Sequence, residues 1–407
     1  MRMLDNFLQT ELNDLQSRHL RRLLRNVDGA QGPRVRIEGR EILNFSSNDY
    51  LGLASDPRLA QAAKEALEKE GAGAGASRLI SGHLSSHRKL EQLLADFKGT
   101  QSALVFSTGY MANVGIISAL AGRDGIVFSD RLNHASIVDG IVLSRAEMKR
   151  YPHGGMKALE EMLKETPAGK KKLIVTDSVF SMDGDIAPLD AIADLAQRYG
   201  AMVMVDEAHG FGVLGKNGKG AVEHFGLEGK IDIQMGTLSK AAGCFGGYIC
   251  GCETLREYLI NKARSFIYTT AMPPMAAAAS ARGVEIIRDE PARRTYLLEL
   301  ANDLRRGLND LGFDTMNSQT PIIPILVKDA KTAVELSGAL FEEGIWAQAI
   351  RPPTVPQNTA RLRLTVTAAH TKDDIERLLE AISKLIYSVP LTKLSSQRKL
   401  GPSGLCG

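Results

Sequence analysis

Several things are scarce in this chain of 407 residues, and each scarcity excludes something. Cysteine occurs four times, at Cys244, Cys250, Cys252 and Cys406. Cys250 and Cys252 form an isolated pair with no second pair or histidine cluster at zinc-site spacing, so no metal site is expected. They read instead as strand thiols of a reducing compartment. An excess of one charge is also missing: 50 basic against 47 acidic residues leave a formal +3. The acid-free last residues, 388–407, hold Lys393, Arg398 and Lys399, so the body is formally neutral and no nucleic-acid partner is expected. No uncharged apolar run approaches the roughly 18 residues of a membrane span, and the start, MRMLDNFLQTELNDLQ, reads as an acidic amphipathic helix, not a secretory signal. A soluble cytoplasmic protein is expected.

What is present is enough chain for two domains. Residues 1–50 read as a helical arm followed by a hairpin, Arg34–Ile37 and Glu41–Asn44 about the turn Glu38-Gly39-Arg40. Over 51–285, helical stretches alternate with short apolar runs: Ala103–Phe106, Gly125–Phe128, Leu173–Thr176, Ala201–Val205, Ile231–Gln234 and Gly247–Cys250. Short runs without strict alternation, separated by helices, indicate strands buried on both faces of a mainly parallel sheet, hence an α/β large domain. Over 286–387 the pattern changes to a smaller α+β domain, with strands at Pro321–Val327 and Arg361–Val366 and a final helix at Asp373–Tyr387. Residues 388–407 lack periodicity, are rich in Ser, Gly and Pro, and are expected to be disordered.

Parallel sheets bind ligands at the carboxyl ends of their strands. The run Ala201–Val205 delivers Asp206-Glu207-Ala208-His209 to such an end, and Lys240 follows on the small-residue turn Gly236-Thr237-Leu238-Ser239. An amine among small neutral neighbours is partly desolvated and so more nucleophilic. It can condense with the aldehyde of pyridoxal 5'-phosphate (PLP), while a strand-end carboxylate keeps the pyridine nitrogen protonated. Strand-end aspartates are common in α/β enzymes, so these two segments alone leave an ordinary surface lysine open.

Other segments converge on the same edge. Ser107-Thr108-Gly109-Tyr110 runs from a strand into a helix over Met111–Leu120, a turn that can hold an anion or serve as a plain N-cap. His134, after the strand Ile126–Phe128, could stack on a flat ring or be a hydrogen-bonded loop histidine. Ser181, after the next strand, could donate to a cofactor oxygen or act in a turn. The Gly71–Ala76 run formally fits a dinucleotide fingerprint, but helix-patterned Arg58–Glu70 precedes it where a strand is required, and that reading is rejected.

In order along the chain, the segments STGYMAN, DRLNHAS, DSVFSMDGD, VDEAHGFGVLG, GTLSKA and RPPTVPQNTARLRLTVTAAH resemble the α-oxoamine synthases, PLP-dependent transferases of fold type I. Within that family, Asn44–Leu53 and Ile350–Pro356 most resemble the member that joins L-alanine to a pimeloyl thioester. A sister enzyme using glycine is the alternative. The resemblance implies that Lys240 binds the cofactor aldehyde, that Asp206 partners the pyridine nitrogen and that His134 stacks on the ring. Ser181 and His209 then neighbour the phenolic oxygen, Gly109 and Tyr110 lie at the PLP-binding turn, and Thr237 lies at the cofactor phosphate. Thr269 and Thr270 are expected to reach the phosphate from the second subunit of a homodimer. Arg22, Asn48, His134, Thr354 and Arg363 are implied substrate contacts, with Arg21 and Arg361 as alternatives for the two arginines. Lys240, His134, Asp206 and His209 form the implied catalytic set.

Overall fold

The structure, a computed structural model, describes residues 3–388. Apart from Ser388, which ends a helix, the expected disordered tail lies outside the described residues, as does Cys406. Two compact units are present. One consists of Asn48–Ser181 and Asp185–Leu297; the other contains the described residues through Ser47, Met182–Gly184, and those from Leu298 onward.

In the second unit, β1 (Arg34–Ile37) and β2 (Arg40–Asn44) form the expected hairpin. Its turn is tighter than the sequence suggests. Ile37 pairs with Arg40, and Glu38 and Gly39 take φ of 51° and 76°. Left-handed backbone at both central residues matches the twist of paired strands.

The sheet of the first unit holds seven strands: β3 (Ser102–Phe106), β4 (Gly125–Asp130), β5 (Glu147–Tyr151), β6 (Lys171–Asp177), β7 (Met202–Asp206), β8 (Ile233–Thr237) and β9 (Gly247–Gly251). Their spatial order is β3-β9-β8-β7-β6-β4-β5, and β9 alone runs against the others. Leu104, Val127, Val175 and Met204 on one face pack with Ile116, Ile117, Ile137 and Ile141 of the helices Gly109–Leu120 and Ala135–Ser144. Each such side chain, fully buried, stabilises the fold by about 1.5–3 kcal/mol before chain entropy is counted.

Two strands depart from the sequence reading. β5 has no apolar run, because as an edge strand it keeps Glu147 and Arg150 in solvent. β8 starts two residues later than expected and continues through Gly236. A Cβ there would sit 2.4 Å from the Tyr248 hydroxyl, so only glycine lets that strand lie against β9. The extension matters, because it carries Thr237 to the same sheet edge as Asp206. Asp177 pairs in register with Asp206, and Asp206 with Met235.

The rest of the second unit has β10 (Ile322–Lys328), β11 (Ile345–Trp346), β12 (Gln348–Ile350) and β13 (Ala360–Thr365). β10, β13 and β12 form an antiparallel sheet in that order, while β11 joins β2 in parallel. No helix among the described residues is long and apolar enough to cross a membrane.

Candidate active site

A cavity of about 250 Å³ opens at the carboxyl ends of the first unit's parallel strands. Gly109, Tyr110, His134, Ser181, Asp206, His209, Thr237 and Lys240, singled out in the sequence, all line it. Asn113, Ser136, Asp177 and Ser239 line it as well.

Asp206 is buried at the end of β7, where the amide of Ala208 donates to Oδ1 at 2.8 Å and Asn113 Nδ2 donates to Oδ2 at 2.8 Å. These two donors fix the orientation of the buried carboxylate. Asn113 is placed by the helix Gly109–Leu120, whose N-terminus faces the cavity. Thr108 caps that helix, its Oγ1 accepting from the Met111 amide at 3.1 Å. The amides of Gly109 and Tyr110, at the first two helical positions, have no acceptor within the helix, and both residues line the cavity, which makes this an anion-binding end. Gly109 allows the approach: a Cβ there would meet the Met235 methyl at 3.1 Å.

His134 opens the helix Ala135–Ser144. Its amide donates to Asp177 Oδ2 at 2.8 Å, and its Nδ1 lies 2.7 Å from Ser136 Oγ. Ser136 Oγ accepts from Asn113 Nδ2 at 2.9 Å, so its own proton goes to His134 Nδ1. That leaves the ring hydrogen on Nε2. Burial depresses the pKa of His134 against the pull of Asp206, favouring the neutral ring. Asp177 moves the other way: burial, reinforced by the nearby Asp206 charge, raises its carboxyl well above the ordinary 3.8.

Lys240 Nζ lies 2.9 Å from His209 Nε2, and His209 Nδ1 lies 2.6 Å from the Tyr50 hydroxyl. The Tyr50 hydroxyl also stands 3.5 Å from Asn48 Oδ1. Thr237 Oγ1, 2.7 Å from Ser239 Oγ, donates to the Gly246 carbonyl at 2.9 Å and ties down the turn that carries Lys240.

Thr269 and Thr270 do not line this cavity; Thr270 bridges to Ser77, and both border a much smaller pocket with Arg78. In the second unit, Arg22 Nη2 donates to Thr354 Oγ1 at 3.2 Å. Arg363 is buried on β13 and donates to Thr365 Oγ1 at 2.8 Å, whereas Arg361 is engaged by the Asp183 carboxylate. Asn113, Asp177 and Tyr50 were given no role from the sequence. Asn113 stands one helical turn inside the Ser-Thr-Gly turn and Tyr50 two residues after Asn48, which are the signals that could have found them.

Residues 40–382 match the model of the family described as aminotransferase class I and II. The chain belongs to that family. Its members are PLP-dependent enzymes of fold type I, and this chain is an enzyme of that kind. It is 52% identical over 378 residues to the 8-amino-7-oxononanoate synthase of Geobacter sulfurreducens, covering 92% of this chain and 96% of that one. Among solved structures, SPT with its PLP internal aldimine is similar with a TM-score of 0.91 at 35% identity, covering 96% of this chain and 100% of that one. The 8-amino-7-oxononanoate synthase of Francisella tularensis has a TM-score of 0.75 at 34% identity, over 85% of this chain and 98% of that one.

Proposed function

We propose that this chain is a cytoplasmic homodimeric enzyme of biotin biosynthesis. It condenses L-alanine with a pimeloyl thioester, carried on coenzyme A or an acyl carrier protein, and releases 8-amino-7-oxononanoate, CO2 and free thiol. The observation that carries this reading is one cavity facing an amine, a buried carboxylate and a helix N-terminus. The likeness to synthases of that name over nearly the whole chain supports the choice of substrates.

The donor set suits PLP. Lys240 would hold its aldehyde carbon, Asp206 its pyridine nitrogen, and the amides near Gly109 and Tyr110 with Thr237 its phosphate. Ser181 and His209 would flank the phenolic oxygen, and Thr269 and Thr270 would reach the phosphate from the second copy of the chain. When bound, PLP supplies an electron sink for negative charge at the α-carbon of the amino acid.

The remaining work falls to the protein. With alanine bound, the Lys240 amine would take its α-proton on Nζ. Asp206, held in place by Asn113 and the Ala208 amide, would keep a proton on the pyridine nitrogen, without which that charge is poorly stabilised. His134, with Nε2–H available, would stack on the ring and orient the carbonyl under attack. Arg363 takes a substrate carboxylate, a role for which Arg361 is less suited because Asp183 already engages it. Asn48, Arg22 and Thr354 contact substrate. The new carbon–carbon bond expels the thiolate, the resulting β-keto acid loses CO2, and the α-carbon is reprotonated.

A thiol-release assay across amino acids and acyl thioesters tests the proposal. Alanine with a pimeloyl thioester should be fastest; fastest release with glycine and acetyl-CoA would reassign the chain to the glycine-using sister activity.

A further inference from the structure

We propose that Tyr50 is a positioning residue that sets the tautomer of His209 and thereby keeps the Lys240 amine neutral. The inference rests on the role of Lys240 given above. That amine must be uncharged twice, once to capture the cofactor aldehyde and again to take the α-proton, because an ammonium has no lone pair for either task.

The geometry is a chain of three side chains in one unit. Tyr50 is 1% exposed, so its hydroxyl has little access to bulk water as an alternative partner. It lies 2.6 Å from His209 Nδ1 but 3.5 Å from Asn48 Oδ1. The first is a short, strong hydrogen bond and the second sits at the limit of one, so the phenolic proton lies toward His209. A phenol is also a much better acid than a neutral imidazole N–H. With Nδ1 accepting, His209 carries its hydrogen on Nε2, directed at Lys240 Nζ 2.9 Å away. A donor aimed at the lysine nitrogen is satisfied by a neutral amine and opposed by an ammonium. The reverse tautomer would present a lone pair there and favour the charged lysine. Tyr50 therefore acts on the chemistry through His209, without contact with the reacting atoms.

Tyr50→Phe keeps the ring and its packing and removes only the hydroxyl. The PLP-free full-length protein is mixed with PLP, and the rate of cofactor capture is followed by visible absorbance across pH. The expected result is a rate about tenfold lower near neutral pH, with the profile displaced upward by about one pH unit and the rate recovered at high pH. In the same variant the ring-nitrogen NMR signals of 15N-histidine-labelled protein, assigned with His209→Gln, should move from the Nε2–H to the Nδ1–H pattern. An unchanged capture profile or an unchanged His209 tautomer overturns the inference. Neither readout uses turnover, so the two proposals fail separately. Absent thiol release with intact shifts sinks only the substrate assignment, unaltered shifts sink only the role of Tyr50, and capture surviving Lys240→Ala sinks both.

Discussion

Asn113 holds Asp206: its Nδ2 donates to Oδ2 of the carboxylate at 2.8 Å. The same nitrogen also donates to Ser136 Oγ at 2.9 Å, so one buried amide joins the strand-end acid to the residue that orients His134. Asn113→Ala should destabilise the protein by about 1.5–3 kcal/mol, because it strips a donor from a buried carboxylate. Urea unfolding midpoints read that loss, and an undiminished midpoint would mean that Asp206 does not depend on this bond.

Lys240→Ala should show neither the visible absorbance of captured PLP nor thiol release above background. Because this side chain is only half buried and lines a cavity, the variant should still fold, with a far-ultraviolet dichroism spectrum like that of the parent. Normal turnover in this variant would contradict the assignment.

Asp177→Asn should flatten the pH dependence of stability. In the folded state burial and Asp206 raise the Asp177 carboxyl well above 3.8. Its contribution to stability is complete below 3.8, where both states are protonated. It is lost as pH rises through the raised value, because the unfolded chain then gives up a proton that the folded chain retains. The parent protein should therefore lose more stability than the variant between acid and neutral pH, as read from urea midpoints at several pH values.

His153→Ala should have the opposite signature. Burial alone would lower this ring, but hydrogen bonds to Asp130 Oδ1 at 3.1 Å and Asp185 Oδ2 at 2.7 Å prevail and raise it to about 10. That stabilisation is complete below the ordinary 6.5 and is lost as pH rises through about 10. The substitution should cost about 1 kcal/mol at neutral pH, given partial exposure, and clearly less above the raised value. Thermal melts at the two pH values check it; equal losses would assign His153 a packing role only.

Much of the sheet was legible because buried parallel strands must be short apolar runs, and Leu104, Val127, Val175 and Met204 announce them. β5 was not, since Glu147-Met148-Lys149-Arg150-Tyr151 carries the charges an edge strand can leave in water. β8 was displaced because Gly236 reads as a turn until Tyr248 is seen against it.

The local order of residues determined by itself that Asp206 and Lys240 would stand at strand ends, since hydrophobic burial sets where each strand stops and polar residues begin. Only tertiary structure decided the partners: Asn113 on Asp206, Asp177 beside it, and Tyr50 on His209. Those contacts join segments far apart in the chain. Hydrogen bonding and charge coupling depend on distance in space, to which neither composition nor spacing along the chain gives access.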